Sequence, residues 1–136
     1  MKQTILSLFL IMLTATTCSA QTVEQVAKEL ARQGVPHSKI VLAQARLESG
    51  NMKSAFYNRT NNLFGIKHNG QYATYKHWRE SISDYKKCIS SLYTGGNYFE
   101  FLRRIKYASD KQYIEKLRNI IKYENNTRTS KKDGKR

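Results

Sequence analysis

The chain is poor in cysteine, in acidic side chains and in long apolar runs, and each shortage narrows what it can be. Cys18 and Cys88 are its only cysteines. A lone thiol cannot close an internal disulfide, so once residues 1–20 are removed the fold must stand on its core. Cys88 then reads as a small buried apolar residue rather than a nucleophile, and His37, His68 and His77 show no spacing that would serve it. No clustered His, Cys and carboxylate spacing marks a metal site, so neither metal nor cofactor is expected. Acids number 10 against 24 Lys and Arg, a net charge of +14. Such an excess favours a polyanionic partner: nucleic acid, a membrane surface or a wall polymer.

The one sustained apolar run, Ile5 to Leu13, is broken only by Ser7. It falls short of the roughly 20 residues that cross a bilayer. Lys2 precedes it and the small, polar Thr14 to Ala20 follow, with Cys18 and Ala20 at −3 and −1 of a cut before Gln21. That is the layout of a secretory signal peptide over residues 1–20. The product is expected in the periplasm or outside the cell, which argues against nucleic acid as the partner. A lipid anchor on Cys18 is the poorer reading, because Ala15-Thr16-Thr17 lacks the usual upstream leucine and a small residue beside the cysteine. No other segment could span a membrane.

What remains suits one domain over residues 21–124, with no internal repeats, followed by a basic tail, 125–136, expected to be disordered. The sequence does not set the oligomeric state; a monomer is expected. Thr22 and Gln25 form a capping box ahead of Val23, Val26, Ala27 and Leu30 at helical spacing. Gly34 closes that helix, Pro36 opens the next, and Ile40 to Leu47 is apolar enough to be buried on most sides. Residues 51–60 read as a polar loop. Asn69-Gly70 between β-prone runs predicts one small hairpin. A helix is expected from Glu80, with Ile82, Tyr85, Ile89 and Leu92 on one face. A second is capped by Asn97, and the last by Ser109. The whole is a mostly helical domain with one small β-lobe.

Glu48 stands out because it ends the buried helix, an unusual place for a carboxylate. Lost hydration disfavours its charged form, and an acid still protonated near neutral pH can protonate a departing sugar oxygen. On periodicity alone, a structural role is favoured instead: a helix cap, or a pair with Arg46 or Arg79.

Three motifs change that balance. Gln44-Ala45-Arg46-Leu47-Glu48-Ser49-Gly50, Asn61-Asn62-Leu63-Phe64-Gly65-Ile66-Lys67, and Tyr107-Ala108-Ser109-Asp110 followed by Tyr113 stand in order along the chain. Together they resemble the bacterial glucosaminidase family, glycoside hydrolase family 73, with its flagellar-rod and autolysin-type peptidoglycan hydrolases. The resemblance runs from about Pro36 to Ile121. It implies an α+β, lysozyme-like fold and cleavage of the β-1,4 bond after N-acetylglucosamine in peptidoglycan strands. Residue by residue, it implies that Glu48 is the general acid and Tyr107 the active-site tyrosine. Asn62, Phe64 and Gly65 match the run lining the base of the sugar groove. Tyr75 and the stretch Trp78 to Tyr85, with Ser81 and Asp84, match the segment after the β-lobe, and Tyr75 is carried over as a substrate-binding residue.

Two departures stand against the pattern: Ser109 replaces a threonine, and the β-lobe is much shortened. Between Glu48 and Glu80 there is no Asp or Glu, so the usual pair of carboxylates is not visible. Glu80 and Asp84 could supply the partner only if folded back toward the groove. Otherwise a distant acid activates water, the substrate's acetamido group acts as nucleophile, or activity is lost. The acetamido route, with Tyr107 positioning that group, is the preferred expectation. Competing readings are a non-catalytic peptidoglycan-binding module and a lytic transglycosylase or muramidase.

Overall fold

The structure, a computed structural model, describes residues 22–134; the expected signal peptide lies outside the described residues. Helix α1, Val23–Arg32, starts on the anticipated capping box: Thr22 Oγ1 accepts from Gln25 N at 3.1 Å, and Gln25 Oε1 accepts from Thr22 N at 2.9 Å. It buries Val26 and Leu30. Gly34, at φ +67°, turns the chain, and Val35 N closes back on Leu30 O at 3.0 Å.

Helix α2, Ser38–Glu48, buries five consecutive residues, Val41 to Ala45. Five in a row cover more than a full turn, so this helix is enclosed all round, with α1 and α6 packed against it. Ser49 ends it, donating to Ala45 O at 2.5 Å and accepting from Met52 N at 2.9 Å. The supposed polar loop holds a helix, α3, Ala55–Thr60, capped by Ser54 and anchored by the buried Tyr57. Six residues with one buried side chain are too few to display a period in the sequence.

The hairpin forms as expected. Strands β1, Lys67–His68, and β2, Gln71–Tyr72, pair antiparallel with Lys67 opposite Tyr72. Asn69 and Gly70 both take positive φ, 51° and 78°, as a type I′ turn requires. All four strand residues are exposed, so the lobe has no core of its own and depends on side-chain ties to the helices.

Helix α4, Trp78–Cys88, is capped by His77 and buries Ile82 and Tyr85. It ends sooner than its apolar spacing implies: Ser90–Leu92 tightens into a 3-10 turn and leaves Leu92 54% exposed. In α5, Tyr98–Arg104, the Asn97 side chain accepts from Phe99 N and Glu100 N as anticipated. Ser109 does not cap α6, Tyr113–Asp133; Asp110 takes the N–H of Gln112 at 2.8 Å instead. The segment expected to be a disordered tail continues α6 to Asp133. No Gly or Pro interrupts it before Gly134, and Thr127, Thr129 and Ser130 each bond back to the carbonyl four residues earlier.

The core runs from Val26 and Leu30 through α2 and Leu63 to Tyr85, Phe101 and Leu117. Helices dominate, with one two-stranded sheet: the α+β, lysozyme-like arrangement. Among the described residues no helix is long and apolar enough to cross a membrane.

Candidate active site

The last residue of α2 reaches the surface in a cleft of about 740 Å³. Glu48 lies on its floor, half-buried, among Gly65, Tyr72, Tyr107, Asp110 and Tyr113. Burial pushes its carboxyl above the usual carboxylate range, and a hydrogen bond with Tyr113 opposes that shift in part. Neither arginine that could have paired with it does so. Arg46 bonds Glu124 and Asn51, while Arg79 pairs with Glu29 and lies over the Trp78 ring.

A buried polar chain stands behind the acid. Tyr85 Oη donates to Gln44 Oε1 at 2.6 Å, and Gln44 Nε2 donates to Tyr113 Oη at 3.3 Å. Tyr98 Oη lies 2.9 Å from Tyr85 Oη. Tyr85 spends its proton on Gln44, so Tyr98 must donate to Tyr85. Gln44 is fully enclosed, and both ends of its amide are satisfied, as a buried polar group requires.

Gly65, at φ +64°, passes directly beside the acid: a Cβ there would sit 3.6 Å from Glu48 Oε2 and 3.9 Å from the Tyr72 ring. The left-handed backbone and the close approach both call for glycine. Tyr107, half-buried at the cleft edge, donates to Phe64 O at 3.0 Å. Burial holds its hydroxyl well above its ordinary pKa, with neighbouring Tyr113 and Glu48 adding to the shift. It stays neutral, with its one proton held by Phe64 O.

The resemblance assigned Asn62, Phe64 and Tyr75 to sugar contacts, and the geometry gives Asn62 and Tyr75 other tasks. Asn62 is completely buried. Its amide donates to Ile66 O and Ala73 O, both at 2.9 Å, and its oxygen accepts from Phe64 N and Ile66 N. With those bonds made, it shapes the bend that carries Gly65. Phe64 does line the cleft beside Gly65, while its ring is 2% exposed and packs on Tyr85 with centroids 4.4 Å apart. Tyr75 donates to Asp84 Oδ2 at 2.6 Å and ties the segment after the hairpin to α4. Glu48, Gly65 and Tyr107 do come together. Glu80 turns away from the cleft to accept from Lys76 N.

Sequence reading missed Tyr72, 54% exposed on the cleft wall, with Lys67 Nζ 4.4 Å from its ring centroid. An open aromatic face beside a carboxylic acid suits a sugar ring. Its signal was present in the short alternating strand after Asn69-Gly70. Asp110 was also passed over as a second carboxylate in the cleft; it pairs with Lys116 at 2.5 Å, which holds its carboxyl below the usual range.

Asp84 is a junction rather than a groove acid. Burial acts to raise its pKa, but bonds from Tyr75, His68 and Cys88 outweigh it and hold the carboxyl low. His68 Nε2 lies 2.6 Å from Oδ2, and the Cys88 thiol donates to Oδ1 at 3.1 Å. Cys88, expected to be buried, is partly exposed on the cleft. The nitrogen, oxygen and sulfur of this trio lie within 4.8 Å of one another. Separations of 16 and 4 residues, across two elements, hid the cluster from a search for metal-ligand spacing.

A second cavity, about 760 Å³, opens among Val35, Ile40, Phe99 and Ile121. No carboxylate lines it, so it offers no acid for hydrolysis.

A family model described as Glucosaminidase, mannosyl-glycoprotein endo-beta-N-acetylglucosaminidase, matches residues 23–126, from the start of α1 well into α6. Comparison with curated proteins and with solved structures returned no match. The matched span takes in every wall of the Glu48 cleft, and the chain belongs to the glucosaminidase family of glycoside hydrolases.

Proposed function

We propose that this glucosaminidase cuts peptidoglycan outside the cytoplasm, at the β-1,4 bond after N-acetylglucosamine, with Glu48 as general acid. One observation carries the reading: a half-buried carboxyl on the floor of an open cleft, held above its ordinary pKa by desolvation. Such an acid keeps its proton until the glycosidic oxygen needs it, an effect worth about 10²–10⁴ in rate. The leader-like residues 1–20 and the excess of positive charge support an anionic wall polymer as the encountered surface. Tyr72 supplies a ring for a sugar face, and Tyr107, its proton held by Phe64 O, forms a fixed neutral edge to the cleft.

The second half of the reaction is assigned to the substrate. The acetamido oxygen attacks the anomeric carbon as Glu48 protonates the leaving oxygen; water then opens the resulting ring, its proton passing to Glu48. Two displacements at one carbon retain the anomeric configuration. Asp110 favours a second reading, since it lines the same cleft as an ionised carboxylate. Acting as base on water, it would give inversion in a single displacement. NMR of the first-formed product separates the two: inverted product removes acetamido assistance.

The test of the main reading is digestion of purified peptidoglycan by the wild type and by Glu48→Gln, with mass analysis of the fragments. The wild type should release fragments with reducing N-acetylglucosamine ends, and Glu48→Gln should be slower by at least about 100-fold. Equal release by both removes Glu48 from its role. Anhydro-muramic ends would identify a lytic transglycosylase, and binding without product a wall-binding module.

A further inference from the structure

We infer that His68, Asp84 and Cys88 form a binding site for a divalent transition cation of the zinc class on the wall of the cleft. The donor atoms are Nε2 of His68, a carboxylate oxygen of Asp84 and Sγ of Cys88, all within 4.8 Å of one another. Two elements supply them. Asp84 and Cys88 stand one turn apart on α4, and so share a face, while His68 reaches across from β1.

The donor set selects the ion. Nitrogen, oxygen and sulfur together suit a borderline-soft metal such as zinc; calcium and magnesium ask for oxygen alone. A carboxylate and a thiolate balance a 2+ charge, which matters in a chain with 24 cationic side chains against 10 acids. Binding exchanges one proton: the Cys88 S–H that now donates to Asp84 is released to solvent as the metal–sulfur bond forms.

Little rearrangement is needed. Tetrahedral bonds of about 2.0–2.3 Å hold donor atoms roughly 3.3–3.7 Å apart. His68 Nε2 lies 2.6 Å from Asp84 Oδ2, Cys88 Sγ lies 3.1 Å from Asp84 Oδ1, and all donor atoms are within 4.8 Å of one another, so side-chain shifts of about 1 Å bring them to those separations. Tyr75, bonded to Asp84 Oδ2 at 2.6 Å, is placed to orient that carboxylate from outside the metal's coordination shell, as such partners do.

Access and the remaining coordination position are set by the cleft. His68 is 53% exposed, and both His68 and Cys88 line the space that holds Glu48. Three protein donors leave a fourth position for water or a sugar oxygen. A bound cation would also rivet the hairpin, which has no core of its own, to α4. None of this depends on the glycosidase reading.

The experiment uses the full chain carrying Cys18→Ser and kept reduced, so that Cys88 is the only thiol. Zinc chloride is titrated calorimetrically, and cobalt(II) is added separately to record its absorption. One equivalent of zinc should bind, with a rise in Tm, and cobalt should show a thiolate charge-transfer band. Cys88→Ala should remove that band, and Cys88→Ala and His68→Ala should each weaken zinc binding at least about tenfold. His77→Ala should change nothing. Zinc binding that is absent, or unaltered in both Cys88→Ala and His68→Ala, overturns the proposal. Should those variants fail to fold by circular dichroism, the cobalt spectrum of the Cys18→Ser chain decides: no thiolate band, no site.

Discussion

Tyr113, the first residue of α6, lines the cleft with Glu48, the last residue of α2, and its hydroxyl draws the pKa of that carboxyl down. Gln44 donates to the same tyrosine oxygen, which leaves the Tyr113 proton free to point at the acid. That proton favours the ionised carboxylate, and burial favours the protonated acid more strongly. The acid is thus balanced between two neighbours supplied by different parts of the chain.

Tyr113→Phe tests that balance. Removing the donor leaves desolvation unopposed, so the Glu48 pKa should rise further and the alkaline limb of the pH–rate profile should move to higher pH. The cost in stability should be about 1–3 kcal/mol, since the buried Gln44 N–H loses its acceptor as well. A limb that moves down, or stays in place, would mean that Tyr113 does not tune the acid.

Gly65→Ala places a methyl group 3.6 Å from Glu48 Oε2, in the gap before Tyr72. The left-handed backbone there should cost about 1–2 kcal/mol, seen as a lower Tm. Turnover should fall further than stability explains, because the added carbon occupies the space a sugar needs. Full activity per folded molecule would show that this gap is not where substrate lies.

Asn62→Ala separates a scaffold residue from a sugar ligand. It strands two backbone N–H groups, of Phe64 and Ile66, and the carbonyl of Ala73, and should destabilise the protein by about 3 kcal/mol in urea unfolding. KM for the remaining folded fraction should be unchanged. A raised KM at undiminished stability would restore Asn62 to the groove.

Stability should also fall on the acid side through Glu29. Its hydrogen bond with Arg32 is the main reason its pKa drops from 4.5 to about 2, with Gln33 and the Arg32 and Arg79 charges adding to the effect. A carboxyl depressed by folding stabilises fully above its unfolded pKa and loses that contribution as pH falls through its folded one. The window is therefore pH 4.5 to 2. The contribution should be only about 1 kcal/mol, since solvent screens the exposed arginines. Glu29→Gln should flatten the stability profile across this window, and an unchanged slope would remove Glu29 as its source.

The elements legible in the sequence are those whose local chemistry decides their structure. Thr22 with Gln25, Asn97 with its two amides, and Asn69-Gly70 each carry their geometry in two or three residues. Glu48 stood out as a carboxylate ending an enclosed helix, but that position alone favoured a cap or an arginine pair; only the three ordered motifs pointed to a site. What failed was long-range. Ser109 looked like a cap, but Asp110 reaches the relevant N–H first. The basic end of the chain looked like a tail because its helix is stabilised by backbone and side-chain-to-carbonyl bonds rather than by an apolar stripe. Asn62 matched a groove motif because the bend it holds, Phe64 to Ile66, lines the groove, one step removed from contact. The Asp84 junction needed the hairpin folded over α4 before His68 and Cys88 could meet.

The ion pair between Arg46 and Glu124 has a mechanical corollary. With Tyr113 beside Glu48 and Glu124 on Arg46, helix α6 holds helix α2 at two separate heights, so the floor of the cleft and its carboxyl move as one rigid piece. Any breathing of the cleft then falls to the opposite side, where two exposed two-residue strands hang on Asn62 and Asp84. The enzyme is built with one stiff jaw and one compliant jaw.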